Sequence, residues 1–551
     1  CLSLKGSDPA CSANGPRSET SGTYEKWGLV EFSLTGPSMD GRSATANPFR
    51  VTLDGRFQAP DGSEYIVPGF FDGNGAGGQS GPIWKIRFVP HQTGSWTMTT
   101  RSSQTLLNAL SFQFEVQPST HPGMLRYVGG PHLKFSDGRY WLKTGMDDPE
   151  EFLGEEILGG WDGKREAIDY LAAKGINSMY LCLMDYPGDS GTVFPWLAPH
   201  DQDHFDLDKM SRWDAMFDYM RSRDIVLHLV LEDDDALVPN DRAFYYRYLV
   251  ARFAHHTGLI WNLREEYNER YSPDQAIQYA QLLQNLDPYR HPITVHNVNM
   301  PESWFLNAGV FSLTSIQTEK PSSDLPAQQF NTWALQWRDA AQAAGRPIMV
   351  SYDETGKNSA TAKDRQLIRQ AEWALVMAGA HFELHIYPLT TYQEYEPHLN
   401  DVLHLSTFME RIPFWDMRSR NDLVSSNAMA LGRSGLQMVV YAPAGGSITV
   451  NLSGFVGSVP YEWYDPKTGS YAAGGHLAGG GSHTVTAPIS GDAVLHVGKY
   501  TNEEVITHPV QIGDLNTASC QLDVLQAGRM YYIDRTLTLV DVPAALQGLT
   551  F

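Results

Sequence analysis

The run Gly258-Leu259-Ile260-Trp261-Asn262-Leu263-Arg264-Glu265-Glu266-Tyr267 decides how the chain is read. It opens with apolar residues that suit a buried strand and closes on two adjacent carboxylates and an aromatic. The apolar start belongs in a core, whereas two unpaired glutamates are too costly to bury and must emerge at the strand's end. Further along, Arg346-Pro347-Ile348-Met349-Val350-Ser351-Tyr352-Asp353-Glu354 repeats the same grammar, an apolar strand followed by acid. Parallel barrels keep their chemistry at the C-terminal ends of their strands. Two carboxylates brought by two such strands to one cleft are the arrangement that glycoside hydrolysis uses.

Working outward, the segment from Pro122 to Asn421 alternates strand-like apolar runs with helical stretches, the rhythm of a (β/α)8 TIM barrel. Its eight expected strands are Tyr140–Thr144, Ser178–Leu183, Ile225–Leu231, Leu259–Leu263, Ile293–His296, Ser312–Ile316, Ile348–Ser351 and Phe382–His385. Helices are expected between them, for instance over 164–174, where Ile168, Leu171 and Ala172 recur at helical spacing. Before the barrel, Tyr24 to Val116 reads as short alternating strands with frequent turn signals, the pattern of a β-sandwich. After Ser425 strands return, with Asp465-Pro466-Lys467-Thr468-Gly469 as a strong turn, and predict a second sandwich. The expected division is a tether over 1–23, a sandwich over 24–121, the barrel over 122–424, a sandwich over 425–500 and a further β-rich segment over 501–551.

Composition narrows the partners. The 551 residues are too many for one core. A formal charge of −22 argues against nucleic acid or an anionic membrane surface, both of which would repel the chain. The 14 Trp and 26 Tyr supply flat faces that stack on sugar rings, besides filling cores. The four cysteines show no CxxC or zinc spacing. Cys1 followed by the small, polar segment Ser12 to Thr23 reads either as a lipid-bearing bacterial lipoprotein start with a flexible tether or as a Cys1–Cys11 disulfide. The first reading would put the protein outside the cell, in the periplasm or on the outer membrane, with membrane contact only through that lipid.

With these residues laid out, the chain resembles bacterial glycoside hydrolases built as a DUF5060-type β-sandwich, a clan A-like barrel and a C-terminal "putative collagen-binding" sandwich. The N-terminal likeness rests on Tyr24-Glu25-Lys26-Trp27, Asn47-Pro48-Phe49, Val67-Pro68-Gly69-Phe70-Phe71-Asp72-Gly73 and Trp84-Lys85-Ile86-Arg87-Phe88. The barrel likeness rests on Lys143-Thr144-Gly145 before Asp148-Pro149-Glu150, on the run from Gly258 to Glu266, and on Trp373 to Gly379. The C-terminal likeness rests on Trp463-Tyr464-Asp465-Pro466 with Thr468-Gly469. No collagen binding follows from that family label.

The resemblance implies an acid/base carboxylate ending strand four and a nucleophile ending strand seven. A frequent strand-four form is Trp, three residues, then Asn-Glu. Glu266 stands at the acid/base position, and Glu265 takes the place of the asparagine, so the choice between the two stays open. Glu354 stands at the nucleophile position, with Asp353 its rival. The activity implied is hydrolysis of a poly- or oligosaccharide with retention of configuration. The acid needs a raised pKa from a neighbouring charge or an apolar wall, which Tyr267 or Trp261 would supply.

Further substrate contacts are expected at strand ends: Asp147 and Asp148, Tyr186 and Asp189, Glu232, His296, Gln317, and His385 with Tyr387. Trp196 and Trp415 are stacking candidates, although each suits a core equally well. Neither Glu232-Asp233-Asp234-Asp235 nor the run 201–208 has the glycine and distant glutamate of an EF-hand, so no metal or other cofactor is expected beyond an incidental structural Ca²⁺. Two other functions compete: a non-catalytic carbohydrate-binding or adhesion protein on a barrel scaffold, and a polysaccharide lyase. An acid pair neutralised by Arg264 would favour the binding protein. A His-Tyr-Arg cluster would favour the lyase, and the sequence offers no such cluster.

Overall fold

The computed structural model describes residues 18–147, 151–187, 191–297, 300–317, 325–356 and 362–500. Asp148, Asp189, the Cys1 region and the segment 501–551 lie outside these residues.

At the centre is a parallel barrel whose strands are Thr144–Asp147, Ser178–Cys182, Val226–Val230, Leu259–Asn262, a fifth in two pieces (Ile293–Thr294 and His296–Asn297), Ser315–Gln317, Ser351–Gly356 and His381–His385. The first strand pairs with the eighth and so closes the sheet. Val295 interrupts strand five, so that its first piece pairs with strand four and its second with strand six. The expected strand one, Tyr140–Thr144, lies too early, since the strand runs over Thr144–Asp147. Trp141 joins Leu125 and Leu133 in an apolar plug beneath the barrel, against Val226, Ile260, Leu313 and Met349, and pairing with strand two begins only at Gly145. Strand seven likewise runs further than expected, to Gly356, which carries Glu354 inside it.

Side chains alternate along each strand between the barrel interior and the helical layer. Inward positions above the apolar plug are polar: Lys143, Ser178, His228, Asn262, Ser315, Ser351 and Glu383. Gly145 is required here, because a β-carbon would stand 2.4 Å from Glu383 Cγ. Outward residues such as Trp261, Leu229 and Phe382 pack on the surrounding helices.

The N-terminal sandwich packs a five-stranded sheet on a three-stranded one around Phe32, Phe57, Phe88, Trp96 and Phe114. Its first strand, Ser18–Glu25, starts within the stretch expected to be tether, because it adds in parallel to Ser111–Gln117 at the sheet edge. This domain is bolted to the barrel helices: Asp214 takes Arg87 and Arg252 at 2.7 Å each, and Arg252 also reaches Asp72 at 3.1 Å. The C-terminal domain begins earlier than Ser425, with strand Arg418–Ser419, and builds a six-stranded sheet faced by a two-stranded one around Trp463, Val440 and Leu495. Arg369 fastens it to the barrel by bridging Asp401 and Asp492. Among the described residues no helix is long and apolar enough to cross a membrane.

Candidate active site

Strand four ends at Asn262, and the chain then turns. Glu266 adopts a left-handed backbone, φ 38° and ψ 53°, unusual for a residue with a β-carbon. Its main-chain N–H donates to His296 Nδ1 at 3.4 Å, which fixes the turn to strand five. His296 is buried and its imidazole is pushed down to about 4 by burial, so it is neutral and accepts at Nδ1.

Both glutamates are half-buried rather than enclosed. Glu265 Oε1 lies 3.8 Å from His296 Nδ1. The Glu266 carboxyl is held above the usual carboxylate range. Burial raises it, a hydrogen bond from Gln317 works against this, and the charges of Asp234 and Glu269 add to it. Gln317 is the register partner of Glu354 across strands six and seven. One amide side chain therefore touches the strand-four acid and stands beside the strand-seven acid.

Around Glu354, the His385 Nδ1 lies 3.9 Å from its Oε1 and 3.3 Å from Asp147 Oδ2, joining strands seven, eight and one at the same rim. Tyr387 stacks on His385, with centroids 6.0 Å apart, and is 44% exposed. Asp353, the rival nucleophile, is instead fully buried. Its Oδ1 accepts from Lys143 Nζ at 2.6 Å and from the Ser351 hydroxyl, an ion pair facing down into the barrel rather than up into the cleft.

The three domains have recognisable relatives. Residues 23–103 match the family model DUF5060, a domain of unknown function. Residues 207–384 match "Apiosidase-like, catalytic domain", and residues 420–497 match "Putative collagen-binding domain of a collagenase". The catalytic-domain match runs from the helix before the third barrel strand to the eighth strand.

Solved structures agree in fold. A crystal structure titled "putative glycoside hydrolase" from Bacteroides vulgatus ATCC 8482 is 17% identical, with a TM-score of 0.70 over 87% of this chain and 100% of that one. A family 5 glycoside hydrolase from the same organism is 15% identical, with a TM-score of 0.55 over 69% and 94%. At these identities the likeness is one of architecture. No curated protein sequence matches the chain. The pointer to a glycosidase is the catalytic-domain match.

Several expected contacts are corrected. Glu232 is no substrate contact: it is fully buried and holds Arg242 at 2.9 Å, Arg264 at 2.9 Å and the Tyr271 hydroxyl. That pairing consumes Arg264, which is why the arginine does not neutralise Glu265 or Glu266. Trp261 neither walls the acid nor stacks on a sugar. It points outward, and its indole N–H donates to Asp287 Oδ2 at 3.3 Å. Trp196 is a core residue against Phe205 and Tyr245. Trp415 is 36% exposed but stacks on Tyr140, which precedes strand one at the opposite end of the barrel. Tyr186 lies at the rim, its hydroxyl 3.5 Å from His200.

Two acid clusters could take a cation at the rim, Asp147–Glu354–His385 and Asp234–Glu266–Glu269, each with ligand atoms within 4.8 Å. In a third, His228–Asp353–Glu383, the Lys143 ammonium already supplies the positive charge. In the run 201–208, Asp203 is engaged by Arg50, and Asp206 caps the following helix. Sequence reasoning singled out the run containing Asp234 and the run beginning at Lys143, but not that Asp234 acts on Glu266 or that Lys143 holds an interior set, since both depend on which strands become neighbours.

Proposed function

We propose that this chain is a retaining glycoside hydrolase in which Glu266 is the acid/base and Glu354 the nucleophile. The observation that carries the reading is Gln317, which bonds Glu266 and is the register partner of Glu354, both of them half-buried. The raised pKa of Glu266 suits a group that must hold its proton until the glycosidic oxygen leaves. In the first step Glu266 donates that proton while a Glu354 oxygen bonds the anomeric carbon and the leaving group departs. In the second, Glu266 takes a proton from water, which attacks the glycosyl ester and restores the original configuration. His385, between Asp147 and Glu354, favours the ionised nucleophile whenever the imidazole is charged. Tyr387, at the same rim and 44% exposed, is the aromatic placed to meet a sugar ring.

The trial set spans plant, algal and host glycans, and apiose-terminated oligosaccharides enter it on the strength of the catalytic-domain match. The test is a glycan panel run with the parent, Glu266→Gln and Glu354→Gln, with the anomer of the first-formed product read by proton NMR. The expected result is product of retained configuration from the parent and a loss of about a thousandfold or more in each variant. Inverted product, or full activity in either variant, would reject the assignment.

A further inference from the structure

Strand seven places two adjacent residues on one face, which an unbroken strand cannot do. Along it, Met349 and Ser351 point into the barrel and Val350 and Tyr352 point out. Simple alternation would turn Asp353 inward and Glu354 outward, into the helical layer. The pairing instead slips by one residue. Ile316 and Gln317 of strand six face Tyr352 and Glu354, while Phe382 and Leu384 of strand eight face Tyr352 and Thr355. The extra residue is a β-bulge, a device that re-aims a side chain. Its consequence is that Asp353 stays inside and Glu354 also turns to the cleft.

What holds the bulge is visible beneath it. The Lys143 ammonium, fully buried, lies 2.6 Å from Asp353, 3.0 Å from the Ser351 hydroxyl and 3.1 Å from Glu383. Strands one, seven and eight are thereby stitched by a single cation just below the acid. Above it, the Thr355 hydroxyl donates to the main-chain oxygen of Glu383 at 2.7 Å. We propose that the Lys143–Asp353 ion pair is a positioning clamp: it pins the strand-seven bulge and so aims Glu354 into the cleft. The clamp rests on the reading of Glu354 as nucleophile, and neither clamp residue touches substrate. A displacement of about 1 Å in a reacting group costs on the order of a hundredfold in rate, so a clamp of this kind acts on kcat rather than on binding.

The test uses the full chain with Asp353→Asn, Lys143→Met and the double variant, with Glu354→Gln alongside. Asp214→Asn serves as the stability control, since it breaks a buried ion pair of similar kind in the interface with the N-terminal sandwich. Hydrogen–deuterium exchange over 351–356 is measured with kcat and KM on the panel substrate that the parent cleaves fastest. The clamp predicts at least tenfold faster exchange at the bulge and a kcat about a hundredfold lower with KM within threefold. It also predicts a double variant no worse than the poorer single one. Exchange unchanged at the bulge, or a kcat loss no greater than in Asp214→Asn at a matched drop in thermal midpoint, overturns it. Full activity in Glu354→Gln would sink the functional reading instead, and exchange at the bulge alone then decides the clamp.

Discussion

At the scale of the residue, the same amino acid takes opposite roles according to what lies beside it. Asp353 and Glu354 are neighbours in sequence, yet one is enclosed against an ammonium and the other is half-buried beside Gln317 and His385. Glu266 keeps its proton to higher pH partly because Asp234 faces it. Removing that charge lowers the Glu266 pKa, so Asp234→Asn should move the alkaline limb of the kcat/KM profile to lower pH. Gln317→Ala removes the bond that favours the ionised form and should move that limb the other way. Rate measurements across pH check both signs. The candidate acids were legible from their places at the ends of two apolar runs. Trp261 was misread because its outward orientation follows from strand parity, and parity is fixed only when Asn262 is seen to bond inward with Ser315.

At the scale of the element, the barrel's irregularities matter more than its regular strands. The break at Val295 lets one strand serve two neighbours, and the bulge at Asp353 turns Glu354 to the cleft. Glu232 shows how a strand end can look functional and be structural. Glu232→Gln would strand Arg242 and Arg264 in a buried setting, and chemical denaturation should register a loss of about 3–5 kcal/mol. KM should hardly change, because Glu232 meets protein on every side. Periodicity identified all eight barrel strands but missed the boundaries of one, six and seven by several residues. Those ends are set by pairing with neighbours distant in sequence, not by local propensity.

At the scale of the whole molecule, the sandwiches are fixed to the barrel by buried charge. Asp214 serves two arginines at the N-terminal interface, Arg87 from the sandwich and Arg252 from a neighbouring barrel helix. Burial pushes its carboxyl up, but Arg252 and Arg87 outweigh burial and hold it down at about 2. A carboxyl depressed from an unfolded value near 3.9 contributes stability above that pH and loses it as pH falls towards 2. Stability should therefore drop between about pH 4 and pH 2, by about 2 kcal/mol for this group, and the thermal midpoint with it. Asp214→Asn should flatten that part of the curve, as calorimetry across pH would record. The same substitution at pH 7 should destabilise without altering KM, since the interface is remote from the cleft.

The sequence by itself determined the three-part architecture, the barrel, and the two runs that end in acid, because hydrophobic periodicity and turn chemistry are local properties of the chain. Only the tertiary structure decided which acids are enclosed and which are open. Burial, strand parity and the partner across a bulge depend on residues far apart in sequence, and no local pattern records them.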